Sequence, residues 1–205
     1  MGILDYIEYG LARLLINYRG YDDQLFCKGP AFAEFPEPTF EIESPDCGPS
    51  NSTMATKYSK FGEGRMPELK WPVAGPDVKE YLLISEDPDS PMGGPNVHGI
   101  YYSIPATTTA VSPREFEVVH EEETKKILRS GFRYGKNRRS SVYIPPRPPV
   151  GHGPHRYFFE LVALKEPLDL AVLSPLPAKE ELSEAIKGKV AGWGLWIGIF
   201  ENKWE

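Results

Sequence analysis

Cysteine is scarce: Cys27 and Cys47 are the only two in 205 residues, and they stand far apart. A disulfide scaffold needs more of them and a structural zinc site needs closely spaced ligand pairs, so both are excluded and the thiols read as free in a reducing compartment. No segment approaches the roughly 20 consecutive apolar residues that cross a bilayer. The first residues do not read as a secretory leader, because Asp5 and Glu8 interrupt any apolar stretch at once. The cytoplasm is therefore the expected compartment, where the glycosylation acceptor Asn51-Ser-Thr53 is idle. Positive charge is also short, since 23 Lys and Arg against 29 Asp and Glu give a formal net charge of -6. That balance opposes wholesale binding to nucleic acid. Internal repeats and low-complexity segments are absent.

Turn-formers, by contrast, are plentiful, with 19 Gly and 21 Pro spaced between short apolar runs. This pattern suits a mainly β chain. With 40% hydrophobic residues, the chain carries enough apolar material for one core, so residues 1–205 are expected to form a single domain with 1–25 as an N-terminal helical extension. In that extension Leu4, Ile7, Leu11, Leu14 and Tyr18 recur at helical spacing, with Asp5, Glu8, Arg13 and Asn17 between them. The stripe is expected to pack on the sheet, the alternative being a membrane or partner surface.

Strands are predicted over 39–44, 53–59, 80–85, 98–104, 141–144, 157–164 and 192–200, with a short helix over 177–187 before the last of them. The run 80–85 is apolar in its core and suits a strand covered on both faces. Residues 113–135 are charge-rich, with Glu121 to Glu123 beside Lys125 and Lys126, and read as a solvated loop or short helix. Trp193, Trp196 and Trp204 near the end are candidates for a contact surface.

The chemistry-bearing residues gather at strand ends. Asp87-Pro-Asp-Ser-Pro91 closes one strand, His98 opens the next, and Gly151-His-Gly-Pro-His-Arg-Tyr157 opens a third. Ionisable side chains clustered where strands meet loops point to a rim site that binds or protonates something. Asp87 is placed to accept from a neighbouring imidazole, fixing its tautomer and favouring its cationic form, which attracts an anion. Gly151 and Gly153 let backbone N–H groups approach a ligand, while Pro88, Pro91, Pro148, Pro149 and Pro154 stiffen the walls. Asp89 is expected to brace Arg156, which points away from His155 on an extended segment. Lys136-Asn-Arg-Arg139 reads first as a solvated turn, and alternatively as an anion-attracting patch near the pocket. Asp87, His98 and His155 would make two imidazoles and a carboxylate for a metal; with the Asp already occupied in orienting a ring, neither a metal nor another cofactor is expected.

The two motifs, Asp87-Pro-Asp-Ser-Pro91 with His98 and Ile104-Pro105 following, and Gly153-Pro-His-Arg-Tyr157, together resemble the signatures of the phosphatidylethanolamine-binding protein family, also called the Raf kinase inhibitor-like family. The resemblance spans Glu37 to Phe200 and is closer to fungal and bacterial members. It implies a β-sandwich of antiparallel sheets with a small anion pocket at one end. Positions matching Asp87, His98, His155 and Tyr157 would line that pocket, and Pro91, Ile144, Pro148 and Pro149 would form its wall. Val97 and Gly99 stand where many relatives carry an aromatic residue beside the histidine, which implies a wider mouth. The tail Asn202-Lys-Trp-Glu205 shows no counterpart of the closing helix of animal members.

Two functions follow. In one, the pocket holds a phosphate, phospholipid headgroup or carboxylate by charge-assisted hydrogen bonds, and the protein acts through occupancy or a protein partner. In the other, which the resemblance to fungal relatives of secondary-metabolite pathways permits, the protein is an enzyme. His98 or His155 would then be the base and the other, with Tyr157, would stabilise an oxyanion or enolate, Asp87 orienting a ring, on a carboxylate or anhydride such as maleic anhydride units to be coupled.

Overall fold

The structure, a computed structural model, describes residues 2–121 and 126–204; of the predicted charge run, Glu122, Glu123 and Lys125 lie outside the described residues. Helix α1 (Ile3–Leu14) is followed by three single-turn 3-10 segments between Asp22 and Phe32. Then come β1 (Phe40–Glu41), β2 (Ser52–Thr53), β3 (Leu69–Lys70), β4 (Glu80–Asp87), β5 (Asn96–Pro105), β6 (Ala110–Val111), β7 (Val118–Glu121), β8 (Lys126–Leu128), β9 (Arg133–Tyr134) and β10 (His155–Leu164). Helix α2 (Lys179–Ala185) precedes β11 (Val190–Phe200).

Among the described residues the main sheet runs β1-β11-β10-β4-β5-β9, with β2 also on β11. Its centre is β10, the longest apolar run of the sequence, flanked by β4, in which every residue is buried. Such strands need cover on both faces, and they have it. Side chains alternate along β4, so Tyr81 and Leu83 enter one apolar cluster and Leu82 and Ile84 the other. The first cluster lies under the two-stranded sheets β3–β6 and β7–β8 and the long loops; the second lies under the 3-10 segments and α2. Each fully buried Leu or Ile here contributes about 2 kcal/mol of transfer free energy. The layered, mainly β architecture is the expected one, with one refinement: β1 and β2 run parallel to β11, so the main sheet is mixed.

Several expectations need correction. The stripe Leu4, Ile7, Leu11, Leu14 and Tyr18 does not pack on the sheet; Leu4 is 75% and Leu14 78% exposed. The opposite face of α1 makes the contacts, with Ala12 buried, the Tyr9 ring against Gly151, and Glu8 accepting from Arg147 and from the Val150 amide at 3.2 Å. Polar anchoring onto the 147–155 loop thus outweighs the apolar periodicity. Residues 53–59 do not form one strand: Ser52–Thr53 pairs with β11 and Thr56–Tyr58 is a 3-10 turn. Residues 141–144 form no strand, because prolines follow at once and Ile144 gives its amide to His98 O, 2.8 Å. Trp193 and Trp196 are core residues rather than a contact surface, and Trp204 packs against Tyr6 and Tyr9 of α1.

Candidate functional site

Strand periodicity brings the site together. Asp87 lies on the same face of β4 as Tyr81 and Leu83, and His155 and Tyr157 lie on the face of β10 that carries Phe159 and Leu161, so all three converge at one end of the first cluster. His98 arrives by an irregularity. Ser85 pairs with Gly99 but Glu86 pairs with Val97, so His98 is the extra residue of a β-bulge, and the bulge turns its ring toward Tyr157. The two rings meet edge to face at 5.1 Å. The extended segment from Ile144 to Pro149 supplies the remaining wall.

A cavity of about 180 Å³ opens between these groups. Asp87, Ser90, Pro91, Met92, Asn96, His98, Ile144, Pro145, Pro149, His155 and Tyr157 line it, and Lys60, Arg138, Arg139 and Arg147 stand at its edge. Arg147 is paired with Glu8 at 3.0 Å, whereas Lys60, Arg138 and Arg139 have no carboxylate partner among the described residues.

Asp87 accepts from His155 Nδ1 at 2.8 Å and from the Asp89 amide at 2.9 Å, so the expected orienting role is present. His155 Nε2 meets His152 Nδ1, 2.8 Å away. His98 donates from Nδ1 to the Ile144 carbonyl at 2.5 Å, which leaves Nε2 to accept from Asn96 Nδ2 at 2.9 Å. That is the neutral tautomer, and burial lowers the His98 pKa despite the nearby Asp87 charge. The expectation of a cationic imidazole therefore fails at His98, while Lys60, Arg138 and Arg139 bring positive charge to the cavity edge. Tyr157 differs from all of these. Its hydroxyl is buried without a hydrogen-bond partner among the described residues, and burial, with Asp87 adding to it, raises its pKa well above the usual tyrosine range, so it stays a donor. Asp89 braces Arg156 as expected, at 2.9 Å to Nε, and Asp22 shares the same guanidinium.

Of the residues singled out from sequence, Asp87, Pro91, His98, Ile144, Pro149, His155 and Tyr157 line the cavity. Pro148 and Gly153 do not. Pro148 turns its carbonyl to Asn202, and Gly153, at φ +92°, sits against Arg19. Gly151 offers its amide to Asn202 O rather than to a ligand. Arg138 and Arg139 reach the pocket edge, which favours the anion-patch alternative over the solvated turn. Sequence reasoning missed Lys60, Ser90, Met92, Asn96, Pro145 and Arg147. Asn96 and Arg147 were within reach, each being a polar residue within two positions of one already selected. Lys60 follows no local signal; the bond from its amide to Pro146 O, 2.9 Å, places it.

A family model described as phosphatidylethanolamine-binding protein matches residues 44–201. The chain is 56% identical to phomoidride biosynthesis cluster protein B of Talaromyces stipitatus, over 99% of this chain and 84% of that protein. A protein of the same name from an unclassified fungal strain is also 56% identical, over 99% of this chain and 98% of its own length. Among solved structures, a phosphatidylethanolamine-binding protein homolog from Chlamydia trachomatis superposes with a TM-score of 0.64 at 24% identity, covering 80% of this chain and 99% of that one. The last likeness concerns the fold alone.

Proposed function

The chain belongs to the phosphatidylethanolamine-binding protein family, and from that premise we propose that its cavity binds a small anion, a phosphate or a carboxylate, and that the protein works by holding it. The observation that carries this reading is the buried, unpartnered Tyr157 hydroxyl in a cavity edged by Lys60, Arg138 and Arg139. An unmet buried donor costs about 1–3 kcal/mol, and an anion oxygen would relieve that cost. The cavity, about 180 Å³, suits a small group rather than a drug-sized ligand. His98 and His155 have both ring nitrogens in hydrogen bonds, so neither is free to abstract a proton, and direct bonds to the anion fall to Tyr157 and the basic residues. The test is calorimetric titration with phosphate, phosphoethanolamine and small dicarboxylates. Wild type should bind at least one of them, and Tyr157→Phe should weaken it by about tenfold. Equal binding by the two proteins contradicts the reading.

A second reading is favoured by the names of the fungal relatives. In it the protein serves a secondary-metabolite pathway, with a carboxylate or anhydride substrate such as maleic anhydride units. His98 Nε2 is then the group to act as base, once the Asn96 amide swings aside. Turnover of such a substrate, falling by about 10²-fold or more in His98→Ala, supports this reading; a substrate turned over equally by that variant removes it.

A further inference from the structure

His152 lies outside the cavity, yet it is fully buried and hydrogen-bonded on both ring nitrogens. Its Nδ1 is 2.8 Å from His155 Nε2, and its Nε2 is 2.9 Å from the Leu15 carbonyl oxygen. His155 Nδ1 is in turn 2.8 Å from Asp87 Oδ2. The row Leu15–His152–His155–Asp87 thus contains three hydrogen bonds and ends on an acceptor at each side, because neither a main-chain carbonyl nor a carboxylate has a proton to give. Each bond needs its own proton, whereas two neutral imidazoles hold one apiece.

We infer that His152 and His155 share one proton more than neutrality supplies, and that this buried cation, clamped between Asp87 and the Leu15 carbonyl, is a built-in part of the pocket's attraction for anions. The attraction rests on the pocket reading above; the proton count does not. The extra proton resides on His155, the member that lines the cavity, because its ring lies 2.8 Å from the Asp87 carboxylate whereas His152 faces only the neutral Leu15 carbonyl; burial also lowers the His152 pKa. The charged and titratable groups facing the pair are Asp87, Asp89, His98 and Arg19. Arg19 donates to the carbonyls of His152 and Pro154 and lies 3.6 Å from Asp89, so it locks the N-terminal segment in register with the row.

The N-terminal segment is therefore an electrostatic component of the site. With the Leu15 carbonyl withdrawn, His152 can carry its proton on Nδ1 and donate to His155, and two protons then satisfy the remaining two bonds. The cation is lost without any residue leaving the pocket. His152 is a positioning residue in this scheme, acting through His155.

The test uses the full chain, reading histidine ring nitrogens by ¹⁵N NMR and inorganic phosphate binding by calorimetry, both at about pH 7. Wild-type His155 should show both ring nitrogens protonated. His152→Gln keeps an acceptor for His155 and a donor for Leu15, so it should preserve that state and the affinity. His152→Phe should leave His155 with a single proton and weaken phosphate binding by about tenfold. A singly protonated His155 in wild type, or a doubly protonated one in His152→Phe, overturns the inference. A doubly protonated His155 in a wild type that ignores phosphate sinks the anion-pocket reading and leaves the proton count intact. If His152→Phe does not fold, the ring nitrogens of wild type and His152→Gln decide by themselves.

Discussion

Tyr157 and Asp87 occupy neighbouring places in one cavity and answer to opposite physical demands. The tyrosine hydroxyl has no partner, so removing it sacrifices no bond: Tyr157→Phe should match or exceed wild-type stability in urea unfolding, by up to about 1 kcal/mol. Asp87 is one half of a buried hydrogen-bonded pair, and Asp87→Leu should cost about 3 kcal/mol in the same measurement because His155 is left without its counterpart. Equal losses in the two variants would mean that neither group is bonded as described. At this scale the sequence was legible where residues of unusual chemistry clustered at strand ends, which is why Asp87, His98, His155 and Tyr157 were identifiable. It was silent on Lys60 and on the engagement of both His98 nitrogens, since these depend on where loops distant in sequence come to rest.

Helix α1 shows how an element can be legible in kind and misleading in placement. Its heptad-like apolar spacing correctly marks a helix, but the face that docks is set by Glu8, Tyr9 and Ala12, which reach the 147–155 loop. Serine at Leu4, Leu11 or Leu14 should therefore change stability by less than about 0.5 kcal/mol, as expected for exposed sites. Ala12→Leu should cost about 1–3 kcal/mol by overpacking a buried contact. Thermal melts of the four variants check both statements, and the reverse ranking would put the apolar stripe back against the domain. The β5 bulge was illegible for a different reason. One inserted residue leaves no mark on apolar alternation, yet it decides that His98 faces the cavity.

Across the whole molecule, the second face of the main sheet carries a counterpart to the pocket. Glu86 accepts from the Phe26 amide at 2.7 Å and from Lys179, and Glu160 accepts from the Cys27 amide at 2.8 Å, so two buried carboxyls tie the 3-10 segments to the sheet. Burial raises both pKa values, that of Glu160 to about 8. The folded protein then holds protons that the unfolded chain releases at an ordinary carboxyl pKa of 4.5. Stability from this pair is complete below that value and declines as pH rises toward about 8. Glu160→Gln should flatten the decline in chemical unfolding followed across that window; an unchanged slope would show that Glu160 titrates normally. The mainly β layering was legible from apolar runs and turn-formers, because burial on two faces leaves an unbroken hydrophobic signature in β4 and β10. The parallel pairing of β1 and β2 with β11 was not, since two-residue strands carry too short a pattern to specify a partner.

The anion pocket is tested most directly by a crystal structure of the wild-type protein grown with phosphate. The account predicts one phosphate oxygen within hydrogen-bond distance of the Tyr157 hydroxyl, with Arg138 or Arg139 closing over the anion. A Tyr157 hydroxyl bonded to another protein group, with the cavity holding no anion, would contradict it.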